Sequence, residues 1–100
     1  MDIKQAFPGT YFKAADFGDK EEMFVIADGS METLADGEKK FVLRFEECQQ
    51  ALICNKTNAF ALAEAFGDET EQWVGKTIIL YSARVQGPGG LTNGVRIKIP

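Results

Sequence analysis

The chain has 100 residues, 45% of them hydrophobic and 26% charged, with a net charge of −4 and no histidine. That is room for one domain around one core, residues 1–100, and it is not a disordered composition. No segment approaches the ~20 apolar residues that span a bilayer, the acidic balance argues against indiscriminate binding of duplex DNA, and the missing histidine removes the commonest general base.

The first twenty residues read as an extension in which Phe7, Tyr11 and Phe12 pack against the domain. They contain no apolar leader core, which points to a cytoplasmic protein. Turn signals at Phe17-Gly18-Asp19 and Ala35-Asp36-Gly37 bracket a long apolar-rich run, Glu22 to Leu34. Asp28-Gly29 interrupts it, so the expectation is one bent strand with a bulge at Gly29. Lys39 to Phe45 alternates, with Phe41, Leu43 and Phe45 on one face and Lys40, Val42 and Arg44 on the other. Ala35 to Glu38 is the hairpin turn between these two runs. Gln49 to Cys54 is a third strand with Leu52 and Cys54 facing one way.

The period then changes. Ala59, Leu62, Ala63 and Phe66 stand at i, i+3, i+4 and i+7, one stripe of a helix over about 57–66. Asn55 or Thr57 caps its start and Gly67 ends it. Thr70 caps a further short turn carrying Trp73. Lys76 to Val85 is a fourth strand, with Ile78 and Leu80 on one side and Ile79 and Tyr81 on the other. Gly87-Pro88-Gly89-Gly90 reads as a flexible loop. Thr92 to Ile99 closes the chain, with Val95, Ile97 and Ile99 inward and Arg96 and Lys98 outward. The order β-β-β-α-β-β in a mainly β chain is that of the five-stranded OB-type barrel with one capping helix. Another small α+β roll with the same element order is the rival.

Three stretches carry a resemblance: Ala6-Phe7-Pro8-Gly9-Thr10-Tyr11-Phe12-Lys13-Ala14-Ala15-Asp16, Leu52-Ile53-Cys54-Asn55-Lys56-Thr57-Asn58-Ala59, and Gly67 to Tyr81 with its Gly-Asp-x-Thr-x-x-Trp-x-Gly-Lys pattern. With the closing Gly94-Val95-Arg96-Ile97, the chain resembles a widespread group of short proteins of tailed bacteriophages and prophages. The family usually carries leucine where Cys54 stands, and often an aromatic residue where Arg44 stands. The resemblance implies a phage or mobile-element origin, a bacterial host cell and an OB-like barrel, but no established activity.

Chemistry-bearing motifs are sparse. Gly75-Lys76-Thr77 looks like the end of a phosphate-binding loop, but Thr70 stands where glycine is needed and a β-branched strand follows instead of a helix. The glycine quartet at 87–90 lacks a dinucleotide fingerprint. Cys48 and Cys54 read as free thiols, Cys54 in the core. No cofactor, metal site or catalytic pair is indicated, so the chain reads as a binding protein and not an enzyme.

What remains is basic residues among aromatics: Lys39, Lys40, Arg44, Lys56, Lys76, Arg84, Arg96 and Lys98. Phe24, Phe41, Phe45, Phe66 and Trp73 fit buried positions, leaving Tyr11, Phe12 and Tyr81 as exposed rings. The leading expectation is a protein that binds single-stranded DNA or RNA with little sequence preference. Arg44, Lys56, Arg84, Arg96 and Lys98 then contact phosphates, and Tyr81 or Tyr11 stacks on bases. The alternative is a phage accessory or assembly module that binds a phage or host protein through its surface or a sheet edge. A continuous positive stripe favours the first; an evenly mixed or acidic surface favours the second.

Overall fold

A computed structural model describes residues 11–87 and 89–100. Five antiparallel strands form one sheet: β1 (Glu21–Thr33), β2 (Lys39–Phe45), β3 (Ala51–Cys54), β4 (Thr77–Gly87) and β5 (Gly90–Lys98), in the spatial order β3-β2-β1-β4-β5. One helix, α1 (Lys56–Phe66), joins β3 to β4, and single 3-10 turns occupy Ala14–Asp16 and Thr70–Gln72. Among the described residues no helix is long and apolar enough to cross a membrane.

β1 is the strand that bonds both halves. Its first part, Glu21 to Val25, pairs with β4, and its second part, from Ile26 onward, pairs with β2. The register slips once, between Ile26 (opposite Phe45) and Asp28 (opposite Arg44), so Ala27 is the extra residue. The bulge therefore lies at Ala27 and not at the expected Gly29. Before it, Phe24 and Ile26 face inward; after it, Gly29 and Met31 share the face of Leu43 and Phe41. The extra residue moves the inward positions of β1 from even to odd numbers while the pairing with β2 continues in step. Gly29 answers a different need: a Cβ there would sit 3.0 Å from Phe41 Cζ and 3.2 Å from Leu43 Cδ2.

Ile78 and Leu80 of β4 share one core with Leu43 of β2, Leu52 of β3, Ile26 of β1 and Leu62 of α1. Burying each such side chain contributes about 1.5–3 kcal/mol. Because both halves of the sheet supply this one core, the sheet bends round it. It does not close, however. β3 and β5 are its two edges, and no β3–β5 ladder joins them among the described residues. The expected elements are present, but as a bent open sheet, not a sealed barrel.

α1 lies against β5. Asn55 caps it, its Oδ1 accepting from Asn58 N at 2.9 Å, so Asn55 and not Thr57 opens the helix. Ala59, Leu62, Ala63 and Phe66 all turn to the core as their spacing required. Asn58 is buried and its Nδ2 donates to Val95 O of β5 at 2.9 Å, tying the helix to that edge. The helix ends at Gly67 (φ 117°). Trp73, buried on the following 3-10 turn, donates its indole N–H back to Gly67 O at 2.7 Å.

Phe12 is not the exposed ring that was expected. It packs with its centroid 5.3 Å from Phe17 and 5.1 Å from Phe24, and Phe24 lies 5.1 Å from Phe45. Tyr11 forms a parallel bridge to Ala51, and Phe12 N donates to Ala51 O at 2.9 Å. This part of the extension packs on the domain as expected; Phe7 lies outside the described residues. The glycine quartet is also tighter than a loop, since Gly87 pairs with Gly90 and both strands run into the turn; Pro88 lies outside the described residues.

Candidate functional site

The six expected contact residues fall in four places. Arg44 is on the outward face of β2, partly buried, and paired through two donors. Its Nε and Nη2 donate to Glu32 Oε2 and Oε1 at 3.0 and 2.7 Å. That hydrogen-bonded carboxylate raises the arginine pKa above its usual value, against the smaller opposing effect of burial. Lys56 begins α1 and its ammonium lies 5.4 Å over the ring of Phe60, one helical turn on. Arg84 opposes Asn93 on the side of the β4–β5 hairpin that carries Ile78 and Leu80.

Tyr81, Arg96 and Lys98 do come together. Tyr81 of β4 opposes Arg96 of β5 directly, and Lys98 follows two residues on, opposite Ile79, so all three share one outward face. Glu21 of β1 opposes Tyr81 from the other side, and its carboxylate pairs with Lys98 Nζ at 3.3 Å. Arg96 Nη1 is enclosed and makes no hydrogen bond among the described residues. Lys40 pairs with Glu38 at 3.4 Å. Three of the basic residues thus face carboxylates, and the cations are spread over several surfaces instead of forming one stripe.

A groove of about 520 Å³ opens elsewhere, between the first part of β1 and the turn that follows β2. Met23, Phe24, Val25 and Thr77 line one side, and Glu46, Glu47 and Cys48 the other. Met23 is 64% exposed at its mouth. Glu46 N donates to Val25 O at 2.9 Å, which anchors the turn to β1. Glu47 sits at φ 54°, a left-handed conformation unusual for glutamate. Cys48 Sγ lies 3.4 Å from Gln50 O. Sequence reading missed this groove, because its walls come from residues twenty or more positions apart and only the strand register brings them together. It also missed Phe60, which is 61% exposed on α1; a ring outside the Ala59-Leu62-Ala63-Phe66 stripe was the available signal.

Cys54 is buried in the core, and desolvation pushes its thiol up to about 12. Both cysteines are free. Among the described residues no group of three or more potential metal ligands lies together. The chain matches no family model, no curated protein and no solved structure.

Proposed function

We propose that this chain is an OB-type binding module that docks another protein, of phage or host origin, and catalyses nothing. Three features support the OB-type reading: the helix inserted between the third and fourth strands, the first strand shared by both halves, and the adjacency β3-β2-β1-β4-β5, which lacks only the ladder that would close the ring. The resemblance of the Phe-Pro, Asn-Lys-Thr-Asn and Trp-x-Gly-Lys stretches to tailed-phage proteins supports the origin of the partner.

The observation that carries the protein-docking reading is the groove itself. Met23 and Val25 give it an apolar side, and Glu46 and Glu47 give it two carboxylates, while Arg44, Lys40 and Lys98 are paired elsewhere. A polyanion meets repulsion there, whereas a protein surface with an apolar anchor does not. The test is site-specific photocrosslinking in nuclease-treated cells, from a photoreactive residue at Met23 and, separately, at Tyr81. A single stoichiometric protein adduct from Met23 is the expected result. No protein adduct from Met23 overturns the reading.

A second reading keeps single-stranded DNA or RNA as the ligand. It rests on Tyr81, Arg96 and Lys98 sharing one face, a stacking ring beside two cations. Nucleic-acid adducts from Tyr81, together with oligonucleotide binding that weakens as salt rises, would establish it in place of the first.

A further inference from the structure

We propose that the groove between β1 and the turn after β2 receives a cationic segment of a partner protein, anchored by one apolar side chain. This rests on the protein-docking reading above. Met23 and Val25, on the face of β1 opposite the inward-facing Phe24, offer a hydrophobic seat, with Met23 largely exposed at its mouth. A flexible thioether at that mouth adapts to the shape of what enters. A volume of about 520 Å³ takes a few side chains and no more.

Charge selects the occupant. Among the described residues only Glu21, Glu32 and Glu38 have a cationic partner within ion-pair distance, and most carboxylates, Glu46 and Glu47 included, have none. What sets Glu46 and Glu47 apart is their place: both are exposed and both line the groove beside Met23 and Val25. Covering them with a neutral or acidic segment would strip water from two carboxylates and return nothing, a cost that opposes docking. A lysine or arginine beside the apolar anchor supplies the missing partners, and arginine does so with two donors per carboxylate. Nucleic acid fails the same criterion, because its phosphates would meet the two carboxylates.

Cys48 in the groove wall is a built-in reporter. Cys54, buried with its thiol pushed up to about 12, is the silent internal control. The experiment uses the full chain with three short synthetic peptides: alternating lysine and leucine, alternating glutamate and leucine, and alternating lysine and serine. Binding is read by fluorescence anisotropy, and groove occupancy by the rate at which Cys48 reacts with a disulfide reagent.

The lysine–leucine peptide is expected to bind and to slow Cys48 modification several-fold; the glutamate–leucine peptide should do neither. The lysine–serine peptide should bind about tenfold more weakly, which isolates the apolar anchor. The double variant E46K/E47K should lose about tenfold or more in affinity with an unchanged melting temperature, while Y81A keeps it. The proposal is overturned if the lysine–leucine peptide does not bind, if it binds without slowing Cys48, or if E46K/E47K binds as the parent does. A second copy seated in the groove, seen as a dimer in sedimentation that E46K/E47K dissolves, would also overturn it. If crosslinking from Met23 captures a protein but the cationic peptide fails, the chemistry assigned to the occupant is wrong while the docking reading stands.

Discussion

Arg44 of β2 reaches along the sheet to Glu32 of β1, although Arg44 opposes Asp28 and Glu32 opposes Lys40 in the register. The pair therefore spans the intervening Ser30–Val42 row. Val42 faces outward yet is 0% exposed. An arginine that reads in the sequence as a free cation is thus a clamp over an apolar residue. Its side chain and that of Glu32 remain 38% and 26% exposed, so the pair sits between the surface and buried regimes. A double-mutant cycle with R44A and E32A, read by urea denaturation, should give a coupling of about 1 kcal/mol. A coupling indistinguishable from zero would mean the clamp contributes nothing.

Asn58 should be the most sensitive polar residue of the fold. It is buried and its amide donates to Val95 O, the link between α1 and the edge strand β5. N58A should cost about 1–3 kcal/mol by leaving that interaction unmade. N58D should cost more, because its carboxylate faces a carbonyl with no proton to donate. In hydrogen exchange, the amides of β5 should open before those of β2. Equal protection of both strands would contradict the role given to Asn58.

Cys54 makes stability depend on pH at the alkaline end. Its folded thiol titrates near 12 where an ordinary one titrates near 9.0, because burial penalises the thiolate. The contribution is fully present below pH 9.0 and is lost as pH rises from there toward 12. Across that window the parent should lose about 1.4 kcal/mol per pH unit relative to C54V, whose own loss reflects only the other titrating groups. Parallel curves for the two proteins would show that Cys54 is not desolvated.

Two glycines should fail for different reasons. At Gly67, φ is 117° and a Cβ would fall 2.1 Å from Gln72 Oε1, the atom that accepts from Glu69 N. G67A should cost about 1–3 kcal/mol, and trimming Gln72 should recover only the steric part. At Gly29 the obstacle is Phe41 Cζ at 3.0 Å. G29A should cost about 1 kcal/mol, and F41L should restore most of it. Thermal melts of the single and double variants separate the two cases.

The elements were legible where periodicity is local. Lys39 to Phe45 alternates because one face is core, and the Ala59-Leu62-Ala63-Phe66 stripe marks a helix whose ends Asn55 and Gly67 fix by their own chemistry. What could not be read depends on register. Glycine commonly marks a bulge and so points to Gly29, yet the slip is at Ala27, whose side chain gives no signal. Phe12 and Phe17 lie in a segment without periodicity, and only their packing on Phe24 and Phe45 makes them core. The shared face of Tyr81, Arg96 and Lys98 follows from strand alternation once β4 and β5 pair. The neutralisation of Arg44 and Lys98 does not, since their partners are 12 and 77 residues away.

Ala27 also marks a place where this chain can change length. Deleting it would leave a plain ladder in which Asp28 still opposes Arg44, Gly29 still opposes Leu43 and Met31 still opposes Phe41, so the inward and outward sets on both sides of it would be kept. Removing Ser30 instead would carry Met31 opposite Val42 and Glu32 opposite Phe41, exchanging the faces of the rest of the strand. Length is therefore free at the bulge and at the hairpin turns at 34–38 and 87–90, and fixed along the paired stretch from Asp28 to Thr33.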